Sequence, residues 1–154
     1  MSAEKKILVV CYSRTGTAGV AADKLKIKLG CDIDYVTYAG NKKKPGFCKA
    51  LMEAFGKKTC EITGDAKKPG IYDLVVVVSP VWASALSTPI RTYLKKHGSA
   101  IKSYSLLFVL GKNGNPEQDA AAAAGKKPEK TVMLLSSKVK DGTADYGELA
   151  ASLT

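Results

Sequence analysis

Ile7-Leu8-Val9-Val10-Cys11-Tyr12 runs without a break into Ser13-Arg14-Thr15-Gly16-Thr17, and a helical pattern begins at once. The first six residues read as a buried strand. The turn that follows offers backbone N–H groups, one glycine and the hydroxyls of Ser13, Thr15 and Thr17. The start of the next helix adds the positive end of its dipole. Strand, hydroxyl-rich turn and helix start together make a socket for a phosphate.

Outward from this stretch, apolar strand-like runs alternate with helical patterns to the end of the chain. Strands are expected over residues 6–12, 32–38, 74–79, 105–110 and 131–136. The run Leu74-Val75-Val76-Val77-Val78 is apolar at every position, as suits a central parallel strand covered on both faces. Pro80 is expected to end it. A helix over 17–29 places Val20, Ala21, Leu25 and Leu29 on one face, with Gly30 to terminate it. A second, over 46–57, spaces Phe47, Leu51, Met52 and Phe55 helically, and a brief extended piece over 59–63 and a loop over 64–70 follow it. A third begins at Pro89 with Thr88 as N-cap, and a fourth at Pro116 with Asn115 as N-cap. The last, over 145–152, is short, so one sheet face is expected to be thinly covered. Such alternation predicts a right-handed, doubly wound parallel sheet. Ligands on these sheets bind beyond the carboxyl ends of the strands where strand order reverses. That rule points to the loops 13–18, 80–87 and 111–115.

The chain has 154 residues, 45% of them hydrophobic, which is one ordinary domain spanning 1–154. No apolar run approaches the roughly 20 residues of a membrane span, and residues 1–6 lack the apolar segment of a secretory signal. A cytoplasmic protein is expected. Cys11, Cys31, Cys48 and Cys60 form no CxxC pair, which argues against a zinc site and leaves free thiols as the expectation. No metal ligand set is recognised. The balance of 24 basic against 14 acidic residues gives a net charge of +10. The lysines fall in pairs and one triplet without interleaved aromatics, so the pattern fits a solvated basic surface or an acidic partner and not nucleic acid.

The first loop is defined by what it lacks. No Gly-Lys-Ser/Thr follows at P-loop spacing, there is no Gly-x-Gly-x-x-Gly turn, and the residue six positions after Cys11 is Thr17 and not arginine. What remains is a turn able to hold a terminal phosphate monoester. In the second loop, Ser79-Pro80-Val81-Trp82-Ala83, the only tryptophan lies just past a strand end, where its flat ring can pack on a flat ligand or cover the core rim. The third, Gly111-Lys112-Asn113-Gly114, is polar and glycine-flanked and suits the edge of a ring or an ordinary strand-to-helix turn. His97 stands at a helix end before Gly98, and no catalytic set of side chains is recognisable.

Tyr12-Ser13-Arg14-Thr15-Gly16-Thr17 resembles the phosphate loop of the flavodoxin family, and 72–82 resembles that family's third strand with a Pro-Val-Trp loop after it. The resemblance covers about residues 6–136. It implies a flavodoxin-like, five-stranded parallel sheet of order 2-1-3-4-5 with helices on both faces. It implies FMN as cofactor, its phosphate held by Ser13, Arg14, Thr15, Gly16, Thr17 and Ala18. Ring contacts would come from Pro80, Val81, Trp82 and Ala83 and from Gly111, Lys112, Asn113 and Gly114. It implies a redox protein that passes electrons to a protein partner, here an acidic one, or reduces small acceptors. Three features depart from the family. Ala18 stands where many members carry a hydroxyl or amide, the 111–115 loop has no aromatic, and the chain is basic where electron-transfer flavodoxins are acidic. Two other readings remain open: a flavin-free basic interaction module on the same fold, and a phosphocarrier that uses Cys11 as its nucleophile.

Overall fold

Successive side chains of a strand point to opposite layers. In the computed structural model, which describes residues 5–39, 46, 59–82 (Trp82 by its backbone alone), 84–111 and 114–154, this alternation divides the core in two. β1 (Ile7–Cys11) sends Leu8 and Val10 into one apolar cluster and Ile7, Val9 and Cys11 into the other. β5 (Leu74–Trp82) does the same with Val75 and Val77 against Leu74, Val76 and Val78, and β7 (Tyr104–Leu110) with Leu106 and Phe108 against Leu107 and Val109. Val75 to Val78 are wholly buried. Each such side chain contributes about 1.5–3 kcal/mol of burial.

Between β1 and β5 lie α1 (Thr17–Leu29), β2 (Asp32–Tyr35), a small antiparallel ladder of β3 (Thr37–Tyr38) with β4 (Ile62–Thr63), and a 3-10 turn at Pro69–Ile71. After β5 come β6 (Ala85–Leu86), α2 (Thr88–His97), β7, α3 (Glu117–Ala124), β8 (Thr131–Leu135), α4 (Ser136–Lys140) and α5 (Tyr146–Leu153). The sheet runs β2-β1-β5-β7-β8 with every one of these pairings parallel, and β6 folds back antiparallel on the end of β5. Numbered among the parallel strands alone, the order is the expected 2-1-3-4-5. α2 and α3 cover one face through Ile90, Tyr93, Leu94, Ala120 and Ala124. α1, α4 and α5 cover the other through Ala18, Ala21, Ala22, Leu25, Val139, Ala150 and Leu153.

Several local expectations are corrected. β5 does not stop at Pro80 but continues to Trp82. β1 has ended by Cys11 opposite Val78, so no strand on that side asks Pro80 for an N–H. On its other side Pro80 pairs with Val109, and a proline can still accept a bond there. In α1, Val20 is 44% exposed, and the buried stripe is Ala18, Ala21, Ala22 and Leu25. Three alanines let the helix lie close to the sheet. The strand expected over 32–38 breaks at Val36, whose N–H makes the last ladder bond to β1, at 2.8 Å to Cys11 O, and β3 then leaves for β4. Thr88 is the first residue of α2, after Ser87, and α3 starts at Glu117 after Pro116, with Asn115 Oδ1 accepting from Glu117 N at 3.1 Å. Ser136 opens α4 instead of closing β8. α4, unread in the sequence, helps α1 and α5 cover their face, and the exposed apolar strand positions lie at the sheet's two edges: Met133 (39% exposed) and Leu135 (40%) on the α2–α3 face of β8, and Tyr35 (43%) on the α1 face of β2. The helix expected over 46–57 lies, from residue 47 on, outside the described residues.

Two buried features set how this fold responds to change. Arg91, 1% exposed on α2, donates to both carboxylate oxygens of Asp119 on α3 (Nη2 to Oδ2 2.6 Å, Nε to Oδ1 3.2 Å) and to Leu86 O at 3.2 Å. It ties the two helices to each other and to β6. Burial pushes the Cys11 thiol from 9.0 up to about 12, and burial pushes the Tyr104 hydroxyl from 10.0 up to about 12. Burial, and then the bond to Asp32 Oδ2 at 2.7 Å, does the same to Tyr72.

Arg91→Ala is expected to cost about 3 kcal/mol in urea denaturation, because it removes one partner of a buried pair. Arg91→Met, which keeps the apolar stem, costs less. Stability is also expected to fall as pH rises from about 9 toward 12. In that window the unfolded chain releases protons that the native Cys11, Tyr72 and Tyr104 retain, so the slope of unfolding free energy against pH is negative. Denaturation midpoints measured at pH 8, 9 and 10 check it, and Cys11→Ala makes the decline shallower.

Candidate functional site

The strand order reverses at the β1–β5 boundary. The chain leaves β1 outward to β2 and returns to β5 on the other side of β1. The loops after β1 and β5 therefore diverge above the carboxyl edge and leave a crevice between them. A cavity of about 280 Å³ occupies it.

Its floor is the β1–α1 turn. Gly16, at φ +97, holds a left-handed conformation that other L residues rarely adopt, and its N–H donates to Ser13 Oγ at 3.0 Å. Gly16 O takes the first helical bond, from Val20 N at 2.9 Å. No side chain caps α1, so the first-turn N–H groups of Thr17 and Ala18 remain as donors at the positive end of the helix. The hydroxyls of Thr15 and Thr17 make no hydrogen bond among the described residues. Ser13, Arg14, Thr15, Thr17 and Ala18 all line the cavity. Ala18 is 3% exposed and adds no polar side-chain atom. The Arg14 side chain lies beside the Tyr12 hydroxyl. Burial raises that phenol above its ordinary value, and Arg14 partly offsets the rise.

The wall is the end of β5 and the hairpin to β6. Pro80 and Val81 line the cavity, with Val109, Leu110 and Gly111 from the end of β7. Ser79 Oγ donates to Pro80 O at 3.0 Å, which leaves the Ser87 hydroxyl as the donor in the buried 3.0 Å contact between the two serines. The hairpin is thus clasped at its base. Gly114, at φ +132, sits where a Cβ would come within 3.0 Å of Ser84 Cα and 3.1 Å of Val81 Cγ1. Only glycine lets the loop after β7 approach the hairpin so closely.

Of the residues expected from sequence, the structure brings Ser13, Arg14, Thr15, Thr17, Ala18, Pro80, Val81 and Gly111 to one cavity. Gly16 shapes the turn without lining the cavity, and Gly114 packs behind Val81. Ala83, Lys112, Asn113 and the side chain of Trp82 lie outside the described residues. Ser136 and Lys140 of α4 also line the cavity and were missed. Their four-residue spacing was the available signal, hidden because Ser136 reads as the end of a strand.

Cys11 is 0% exposed in the α1-side cluster and does not line the cavity. With its thiol held protonated by burial, and secondarily by the Asp23 charge, it is no nucleophile at neutral pH. The phosphocarrier arrangement is not built here. Among the described residues no helix is long and apolar enough to cross a membrane.

The socket suits a phosphate monoester joined to a group that fits the crevice. Backbone donors, two uncommitted hydroxyls and a helix start converge on one end, and a proline–valine wall forms the other. No family model matches the chain, and no curated protein is similar to it in sequence. Solved structures are similar in fold. A flavoprotein from Lactobacillus acidophilus NCFM in complex with FMN aligns at a TM-score of 0.71 and 23% identity, over 91% of this chain and 99% of that one. A candidate flavoprotein from Bacteroides eggerthii aligns at 0.73 and 21%, over 96% and 98%. Oxidised flavodoxin 1 from Bacillus cereus aligns at 0.53 and 10%, over 96% and 95%. Strand order, crevice and structural neighbours agree that the fold of this chain is flavodoxin-like.

Proposed function

We propose that the chain binds FMN in this cavity and works as a redox protein, passing electrons to a protein partner or to small acceptors. The observation that carries the proposal is the uncapped start of α1 with the free Thr15 and Thr17 hydroxyls, set beside the Pro80–Val81 wall. A terminal phosphate satisfies those donors, and a flat ring fits the wall. The FMN complex of the Lactobacillus acidophilus flavoprotein supports the choice of flavin. FMN supplies one- and two-electron redox chemistry, and the protein supplies position and electrostatics. Ser13, Thr15 and Thr17 hold the phosphate end, while Pro80 and Val81 exclude water from one side of the ring. Cys11, Cys31 and Cys60 are free thiols, which suits a reducing, cytoplasmic setting. A basic surface of net charge +10 favours an acidic partner, whose encounter it would speed.

FMN added to the purified protein is expected to bind at micromolar concentration or tighter, with shifts in the flavin bands near ~370 and ~450 nm. Replacing both Thr15 and Thr17 by Ala is expected to weaken FMN at least about tenfold, since hydrogen bonds to a charged group are worth about 1.5–3 kcal/mol each. A protein that takes up no FMN would leave a basic interaction module as the reading. The second-electron potential is expected to be less negative than that of acidic flavodoxins, because surrounding positive charge stabilises an anionic reduced ring. Potentiometric titration checks this, and the difference should shrink as salt rises. A potential as low as theirs under matched conditions would exclude the electrostatic argument.

A further inference from the structure

We propose that Lys140, with Ser136 beside it, binds the phosphate of the ligand and adds a second full positive charge to the socket, besides that of Arg14. The inference rests on the phosphate-monoester reading of the cavity, but not on what the phosphate carries.

α4 starts at the residue after β8, whose last residue, Leu135, pairs with Leu110 at the end of β7. With no loop between them, the strand delivers the helix directly to the carboxyl edge where the cavity opens. Ser136 and Lys140 are four residues apart and so share one face of the helix, and both line the cavity. Val139 is turned into the core at 7% exposure. Lys138 lines a different cavity, beside Asp145 and Glu148.

The chemistry is complementary. Among the described residues, Lys140 makes no hydrogen bond or ion pair, and neither does the Ser136 hydroxyl. Lys67 and Lys96, by contrast, are paired with Asp34 and Asp65 at 3.2 and 2.8 Å. Arg14, the cation within the loop itself, also lines the cavity and lies beside the Tyr12 hydroxyl. A phosphate monoester carries about −1.5 to −2 charges at pH 7. Neutral N–H and O–H donors solvate that charge without neutralising it. A lysine does so through a charge-assisted bond, roughly twice as strong as a neutral one. An unpaired lysine and an unpaired hydroxyl from a fourth element thus add a second cation, besides Arg14, to a socket whose remaining donors are neutral.

The test compares wild type, Lys140→Gln, Ser136→Ala and Lys138→Gln with three probes: FMN, riboflavin and phenyl phosphate. Flavin binding is read by fluorescence quenching, and phenyl phosphate by amide shifts in NMR. Lys140→Gln is expected to weaken FMN and phenyl phosphate about tenfold, to leave riboflavin unchanged, and to flatten the salt dependence of FMN binding. Ser136→Ala should weaken the two phosphate probes less, and Lys138→Gln should change none. The inference is overturned if Lys140→Gln leaves both phosphate probes within about twofold of wild type. It is overturned too if Lys138→Gln weakens them equally, or if wild type takes neither. Lys140-dependent binding of phenyl phosphate without FMN binding would sustain the inference and refute the flavin reading.

Discussion

A parallel strand that is apolar on both faces cannot border water, and β5 is such a strand. Val75 to Val78 are wholly buried and alternate between two clusters. That requirement calls for a helical layer on each side and a neighbouring strand on each edge. Parallel pairing brings every one of these strands' carboxyl ends to one side of the sheet, and right-handed crossovers on either side of a reversal put helices on both faces. The reversal between β1 and β5 follows from covering both faces with one chain, and the crevice follows from the reversal. The site is therefore a consequence of how the valine run is buried.

The sheet was legible because its signals are local and redundant. Four consecutive valines, the Thr17–Leu29 helix with Gly30 after it, and the hydroxyl turn each point to one conformation. Errors arose where a residue's role is decided by its neighbours in space. Pro80 looks like a terminator, yet it continues β5 because β1 has already ended opposite Val78. Val20 looks like a core residue, yet the three alanines seat α1 too close to the sheet for a larger stripe. The β1–α1 half of the site could be read from spacing alone. The contribution of α4 could not, since Ser136 and Lys140 lie more than a hundred residues from the turn they face, and only the register of β8 on β7 unites them.

Stability and recognition oppose each other at the start of α1. A capping side chain typically stabilises a helix by about 1 kcal/mol, and α5 uses one, with Asp145 Oδ1 accepting from Glu148 N at 3.0 Å. α1 forgoes it, and Ser13 spends its oxygen on the turn itself. The donors left over belong to the helix start that follows β1 at the strand-order reversal.

Pro80 has a consequence for the polarity of the cavity. Its nitrogen bears no hydrogen, and its carbonyl already accepts from Ser79 Oγ. The wall it forms beside Val81 is therefore poor in donors, while the β1–α1 turn opposite is rich in them. The cavity reads a ligand by direction: an anion is welcome only at the α1 end, and whatever rests on Pro80 must be apolar or satisfied elsewhere. A molecule entering the wrong way round would leave its charge against a surface with little to offer it. The proline acts as an orientation filter without touching the charged end of the ligand.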